Sequence, residues 1–334
     1  MENNTKKNNY KVSICVPVYG VEKYIERCSI SLFEQTYKNI EYVFVNDCTK
    51  DASIDILRKI LKRYPDRISQ VKIIEHKCNK GLAGARNTAV NEATGDFIIH
   101  VDSDDYIEKD TIESLIVKQM STQADIVSCN AIKHNKGYIE KRKHKTYDST
   151  KSNCLSVIRR DDYVCIWGRL IRTSLYKDNV IKVENGINMG EDYQVICKLI
   201  YYSKKTAVLN KFLYHYDCSN ISSYSNQFSE TKLKQSWRSF DIVKSFFKDK
   251  GEEYVHAVQC GEIKIIVAHF IISGKINNGR YYYKEARKRL GNINSVITNT
   301  LPFSLRLVLY LSFNYKIMKT YIQISRFLNR QIKH

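Results

Sequence analysis

The stretch "IIHVDSDDYIE", residues 98–108, sets Asp102, Asp104, Asp105 and Glu108 directly after an apolar run. Asp102 and Asp104 are separated by one residue, a spacing that turns both side chains to one face of an extended chain. Two hard carboxylate oxygens directed at one point suit Mg²⁺ or Mn²⁺. Such ions take a few protein oxygens and leave the rest of their shell to phosphates and water. The competing reading is that the acids start the next helix, but "DTIE", Asp110 to Glu113, already reads as its capping box. Asp105 and Glu108 are then expected in solvent.

Three further residues have types that could do chemistry. Asp47 follows "EYVFV", where a carboxylate could accept hydrogen bonds from the N–H of a base; Asp51 competes with it as the helix cap of that loop. Arg86 in "NKGLAGARN" sits a turn into a helix and could reach a carboxylate or a phosphate, or stand as a surface cation. Asp192 in "MGEDYQV" opens a helix, whose dipole favours its charged form by about 0.3 to 1 kcal/mol. It is therefore available as a general base at neutral pH, or is simply an acid complementing the helix.

The elements that must position these residues alternate in period. Apolar runs of strand length at "KVSICVPVY", "IEYVFVND", "VKIIEHK", "DFIIHVD" and "ADIVSCN" are separated by helical spacing at "VEKYIERCSISLFEQ", "DASIDILRKILKRY", "GLAGARNTAVNEA" and "TIESLIVKQM". The alternation implies a parallel sheet covered on both faces, with ligands at the carboxyl ends of the strands. An exposed strand is expected in "GYIEKRKHKTYD", a helix from "GEDYQV", a strand at "TAVLNKFLYHYD", and helices from about residue 225 to the end.

The chain has 334 residues, 43% apolar and 27% charged, enough for a sizeable core and a second unit. Its ten cysteines are scattered, which suggests neither a zinc site nor a disulfide scaffold. With no apolar leader in "MENNTKKNNY" and no long uninterrupted apolar run, a cytoplasmic location is expected. The net charge of +19 is uneven: residues 1–130 carry 18 Lys and Arg against 19 Asp and Glu, residues 131–334 carry 36 against 16. The basic part attracts phosphate-rich partners, nucleic acid or anionic lipid. The terminal "LPFSLRLVLYLSFNYKIMKTYIQISRFLNRQIKH" reads either as an interfacial helix at the inner face of a membrane or as a helix packed on its own domain.

In order and spacing, "VSICVPVYGVEKYIERCSISLFEQTYKNIEYVFVNDCTKDAS", "NKGLAGARNTAVNEATGDFIIHVDSDDYIE" and "MGEDYQV" resemble the family 2 glycosyltransferases of the GT-A fold. The match is dense from Val12 to about Asn130 and fades after Ser225. The resemblance implies an α/β fold, a Rossmann-like, mostly parallel sheet flanked by helices, with a helical C-terminal extension. It implies a nucleotide-sugar-binding half at 1–130, an acceptor-binding half at 131–225 and a basic helical region at 226–334. It also implies an inverting hexosyl- or N-acetylhexosaminyltransferase of cell-surface polysaccharide synthesis, with a UDP-sugar donor, Mn²⁺ or Mg²⁺, and a glycan or polyprenyl-diphosphate-linked glycan as acceptor.

Carried over by residue, Pro17, Val18 and Tyr19 frame the nucleotide with Glu22 just beyond, and Asp47 reads the base, although the family's usual acid pair is Asn46 and Asp47 here. Asn79 and Arg86 lie around base and ribose. Asp102, Ser103 and Asp104 form the D-x-D motif, with Asp104 and Asp102 on the metal. Asp192 is the catalytic base and Glu191 its support. In "IWGRL", Trp167 offers a platform for an acceptor sugar, or is a core tryptophan, and Arg169 offers an anion contact; the family more often has Asn at Gly168. His215, Ser222 and Ser223 fall where relatives close a loop on the diphosphate. Two other classes compete: a nucleic-acid-binding protein using "GRYYYKEARKRL", which leaves the acids unexplained, and a sugar-1-phosphate nucleotidyltransferase, which wants a Gly-rich basic loop where "PVYGVEKY" stands.

Overall fold

Strands covered on both faces read as unbroken apolar runs rather than alternating ones. "VSICVPV" and "IEYVFVN" are of that kind, and they form β1 (Val12–Val18) and β2 (Ile40–Asn46), buried along almost their whole length. The computed structural model describes residues 9–135, 137–220, 229–274, 279–291 and 303–331. In it β1 and β2 pair in parallel, and β3 (Val71–Glu75) and β4 (Phe97–His100) extend the ladder in parallel at its two sides. The crossovers carry α1 (Ile25–Phe33), α2 (Ser53–Leu61), a 3₁₀ turn (Pro65–Gln70) and α3 (Gly81–Glu92). All four strands therefore end at the same edge.

The chain continues through β5 (Tyr106–Ile107), α4 (Thr111–Thr122), β6 (Ile126–Asn135), β7 (Tyr138–Arg142), α5 (Thr150–Ile158), β8 (Arg169–Arg172), α6 (Thr173–Asp178), α7 (Glu191–Tyr202) and β9 (Thr206–Asp217). The strands join one sheet in the order β3-β2-β1-β4-β8-β6-β9-β5, with β7 beside β6. The expected parallel sheet holds as far as β4 and is mixed beyond it. β8 runs antiparallel to both β4 and β6, β5 to β9 and β7 to β6, whereas β6 and β9 are parallel. Apolar periodicity reports burial, not direction, and β5 and β8 are too short to show a period at all.

Local capping also differs from expectation. Asp110 is the N-cap of α4, but its side chain accepts from Ser114 Oγ at 2.8 Å and Glu113 accepts from Thr36 Oγ1 at 2.6 Å, so no capping box closes.

The chain divides into two compact units, Met1–Cys154 with Asp162–Phe228, and Leu155–Asp161 with Ser229–His334. The second holds α8 (Glu230–Phe247), α9 (Glu252–Ser273), α10 (Gly279–Leu290), α11 (Phe303–Leu311) and α12 (Tyr315–Gln331). By length and composition α9 could cross a bilayer. It is, however, the helix against which α8, α10, α11 and α12 pack, with Ile263, Ile266 and Phe270 buried. It also carries Glu262 at 2.9 Å from Lys244 Nζ. All ten cysteines are free.

In the first unit one buried carboxylate fastens the strand starts opposite the cleft. Glu41 on β2 accepts from Ser13 Oγ at 2.5 Å, from Thr94 N at 2.5 Å and from Thr94 Oγ1 at 2.8 Å, and Lys11 Nζ lies at 2.9 Å. Gly95 passes so close that a Cβ would stand 2.7 Å from Lys11 O. Burial alone would raise the Glu41 pKa, but these donors overcome it and hold it down at about 2. A depressed carboxylate stabilises the fold above its unfolded pKa, and the contribution is lost as pH falls from about 4.5 towards about 2. Glu41→Gln is expected to cost about 2 kcal/mol at pH 7 and to flatten the acid limb of stability over that window, read by urea unfolding across pH.

Candidate active site

The ends of β1, β2 and β4 and the start of α3 enclose a cavity of about 460 Å³. Pro17, Val18 and Tyr19 line it from β1, and Tyr19 is 54% exposed. Asp47 enters from β2, Asn79 from the loop before α3, and Asp102, Ser103 and Asp104 from the segment after β4. The structure thus gathers eight of the predicted nucleotide and metal residues in one place.

Asp47 organises the floor of this cavity. Its carboxylate is 2.7 Å from His76 Nδ1 and accepts the backbone N–H groups of Lys80 and Gly81, each at 2.8 Å. Asn79 Nδ2 donates to Asp47 O at 3.2 Å. Much of the carboxylate's accepting capacity is therefore spent on shaping the entrance to α3. Gly81 has φ +75°, a conformation that favours glycine, and a Cβ there would push against the Asn188 amide. Asn188 Oδ1 in turn accepts from Ala83 N at 2.9 Å, and Asn87 holds Val183 by two bonds of 2.9 Å. The loop leading to Glu191 and Asp192 is thereby fastened along α3.

The acidic segment is not an extended strand. β4 stops at His100, and Asp105 N donates to Asp102 O at 3.0 Å, closing a turn. Asp102 and Asp104 face the cavity because of that turn rather than because of a pleat. The anchor is Asp105, which is fully buried and accepts from Tyr214 Oη at 2.7 Å and Asp217 N at 2.8 Å. The expectation that Asp105 lies in solvent is corrected: a carboxylate reaching across to β9 is what folds the motif. Glu108, half exposed, binds His215 Nε2 at 2.7 Å.

Arg86 joins the two sets of acids. Small residues on α3 (Ala83, Gly84, Ala85, Ala89) let the helix lie close to the sheet, and Arg86, 4% exposed, reaches into the gap. Its Nη2 is 3.0 Å from Asp102 Oδ1, 3.6 Å from Asp192 Oδ1 and 3.7 Å from Glu191 Oε1. Burial would lower the guanidinium pKa, but Asp102, Asp192 and Glu191 together raise it, and the cation persists. Burial pushes Glu191 and Asp192 above the ordinary carboxylate range; Asp192 adds to the Glu191 shift, and Arg86 opposes both. Asp192 Oδ1 is buried without a hydrogen-bond partner and faces Arg86, while the side chain as a whole keeps 19% of its surface exposed. Arg86 lies among these acids and is not in the lining of the 460 Å³ cavity that holds Asp47 and Asn79.

The acids fit a divalent cation that shares its shell with a ligand. Asp104 is raised to about 6, first by burial and then by the charge of Asp102. Asp102 Oδ1 is already met by Arg86 Nη2 at 3.0 Å, although it makes no hydrogen bond. A positive ion at the cavity would relieve Asp104. Among the described residues no group of three or more acids, histidines or cysteines could hold a metal alone, so phosphate and water would have to complete its shell.

Other expected residues lie elsewhere. Glu22 is outside the cavity lining and accepts from Ala52 N at 3.2 Å at the start of α2, where Asp51 accepts from Ser53 N at 3.1 Å. Trp167 is 8% exposed and stacked on Tyr214 at 4.3 Å, so it packs the core rather than offering a sugar a platform. Arg169, 2% exposed, donates to Cys165 O at 2.9 Å, Ser128 Oγ at 2.6 Å and Tyr163 O at 2.8 Å, and has no face left for an anion. Gly168 between them has φ +65°, a conformation that Asn also tolerates. His215 stacks on Tyr106 at 4.2 Å, away from the cavity lining. Ser222 and Ser223 lie outside the described residues. Asn188 and Asn220, which donates to Asp104 Oδ2 at 2.9 Å, were not anticipated. Their partners are 105 and 116 residues away, and no local signal marks them.

Residues 13–180 match the sequence signature of Glycosyl transferase family 2. Among similar proteins, glycosyltransferase GlyA of Streptococcus pneumoniae is 35% identical over 62% of this chain and 30% of its own length. EpsJ of Bacillus subtilis, an uncharacterised glycosyltransferase, is 30% identical over 61% of this chain and 60% of its own length. The matches thus span less than two thirds of either relative. The crystal structure of Staphylococcus aureus TarS 1–349 in complex with UDP-GlcNAc superposes with a TM-score of 0.74 at 21% identity, covering 95% of this chain and 91% of that one. It supports the same fold, a GT-A-type α/β sheet with C-terminal helices.

Removing the central cation leaves buried carboxylates without compensation. Arg86→Met is expected to cost about 3 kcal/mol at pH 7. The deficit should narrow as pH falls towards 5, because the abandoned acids take up protons in the folded state. Urea unfolding at two pH values checks both statements.

Proposed function

The chain belongs to glycosyl transferase family 2, and we propose that it is an inverting, metal-dependent transferase that moves a hexose or N-acetylhexosamine from a UDP-sugar to a hydroxyl of a glycan. The observation that carries this reading is the Arg86 cluster. One guanidinium nitrogen is 3.0 Å from Asp102 on the donor side and 3.6 Å from Asp192, so leaving-group site and base adjoin. The UDP-GlcNAc held by TarS, a protein of similar fold, supports a UDP-sugar as donor.

In this reading residues 1–130 bind donor and residues 131–225 present acceptor. The nucleotide lies along Pro17 to Tyr19 over the Asp47 floor, and its diphosphate approaches the turn at Asp102 to Asp104. Asp104 and Asp102 would hold Mn²⁺ or Mg²⁺, which when bound supplies Lewis-acid stabilisation of the leaving diphosphate. The acceptor oxygen attacks the anomeric carbon, the bond from that carbon to the phosphate oxygen breaks, and the acceptor proton passes to the Asp192 carboxylate. One displacement inverts configuration, so an α-linked donor gives a β-linked product. Glu191 and Arg86 set the charge around the base. A lipid-linked glycan of a cell-surface polysaccharide is the acceptor class, and a cytoplasmic location is part of the reading.

A panel of nucleotide sugars assayed for hydrolysis and transfer with Mn²⁺ or Mg²⁺ tests the proposal. Asp192→Asn should lower transfer on the order of 10²- to 10⁴-fold while UDP binding, followed calorimetrically, is retained. Asp104→Ala should weaken metal-dependent UDP binding. Because burial raises Asp192, kcat/KM should fall on the acid side at a pH above the ordinary carboxylate range. Full transferase activity in Asp192→Asn would sink the mechanism.

A further inference from the structure

Ala286–His334 contains nine Lys and Arg and no Asp or Glu. Within it, and in the turn of helix before it, the structure sorts charge from apolar surface. On α10 the exposed residues are Arg280, Lys284, Arg287 and Lys288, at the spacing of one helix face. None of these four forms an ion pair with a described residue. Two of the three α10 tyrosines turn the other way: Tyr282 is 6% exposed, and the Tyr283 ring lies 5.8 Å from Phe270 and 5.1 Å from Tyr315, whereas Tyr281 is only partly buried.

The adjoining helices show the opposite surface. Phe303, Arg306 and Tyr310 follow one face of α11, with Phe303 72% and Tyr310 73% exposed. Phe313, 59% exposed in the turn to α12, meets the Tyr310 ring at 6.1 Å. Ile317 and Ile324, two turns apart, face outward on α12, while Met318 and Ile322 pack inward. Tyr283 Oη donates to Ser312 O at 2.8 Å, so α10 packs beside the aromatic turn.

From this we infer that α10, α11 and α12 form a docking surface for an anionic lipid bilayer. Phe303, Tyr310 and Phe313 enter the headgroup boundary, and the α10 cations face acidic headgroups. Charge complementarity selects that occupant. Each basic residue near an anionic surface adds attraction, and exposed aromatic rings favour the boundary between headgroup and chain. A nucleic acid fits less well, because two of the three α10 tyrosines that would stack on bases, Tyr282 and Tyr283, are turned into the unit. The inference is independent of the transferase reading.

Flotation of the full chain with vesicles of phosphatidylcholine alone, or of phosphatidylcholine with phosphatidylglycerol, tests it. Binding is expected only to the anionic vesicles and should weaken with salt. Lys284→Ala with Arg287→Ala should reduce it by about thirtyfold. Phe303→Ser with Tyr310→Ser and Phe313→Ser should reduce it on the order of tenfold or more. These side chains are exposed, so circular dichroism and UDP binding should not change, which separates failure of this surface from failure of the transferase reading. Three results would overturn the proposal: equal or no binding to both vesicle types, tighter binding to a single-stranded oligonucleotide than to vesicles, or a chain that self-associates through this face and dissociates in the aromatic variant.

Discussion

Burying a guanidinium beside three carboxylates constrains the first unit more than any other single arrangement. Arg86 is 4% exposed and has Asp102, Asp192 and Glu191 within 3.7 Å of one nitrogen. Desolvated charges are tolerated only when paired, so the two chain segments bearing those acids, the turn after β4 and the start of α7, must converge on α3. Most of the surrounding detail serves that convergence. Alanines and glycine let α3 approach the sheet, Asn87 and Asn188 lace the 183–190 loop to it, and Asp47 fixes where the helix begins.

The same arrangement divides labour among acids that look alike in sequence. Asp105 is spent on folding, through Tyr214 and Asp217, and its burial near Asp104 and Asp102 drives its pKa well upward. Asp102 and Asp104 keep oxygens directed at the cavity, where their mutual repulsion makes a cation welcome. Glu191 and Asp192 owe their raised pKa values to burial, and Arg86 limits how far the shift goes. Environment rather than residue type separates the acid that anchors the turn from those that line the cavity and those that face Arg86.

The helical unit obeys a different rule. Its core is α9, apolar enough to be mistaken for a membrane span, yet covered by its neighbours and carrying Glu262, which Lys244 and Arg289 approach at 2.9 Å and 3.6 Å. The surplus positive charge therefore resides on the outside, where it acts on partners rather than on the fold.

Much was legible in the sequence because it was local. The strands β1 to β4, the helices between them and the polar residues at the strand ends follow from apolar period and from position at a carboxyl edge. The family resemblance assigned Asp47, Asp102, Asp104 and Asp192 to one site, and the structure brings their segments together. Tertiary structure alone decided the rest. Trp167 and Arg169 have the chemistry of a sugar platform and an anion contact, but the first stacks on Tyr214 and the second is consumed by Ser128 and two carbonyls. Asp105 pairs with β9, Asn188 with α3 and Asn220 with Asp104, each across more than a hundred residues. A sequence states what a side chain can bind. Only the packed chain settles which partner reaches it first, because a buried polar group must be satisfied by whatever the fold places beside it.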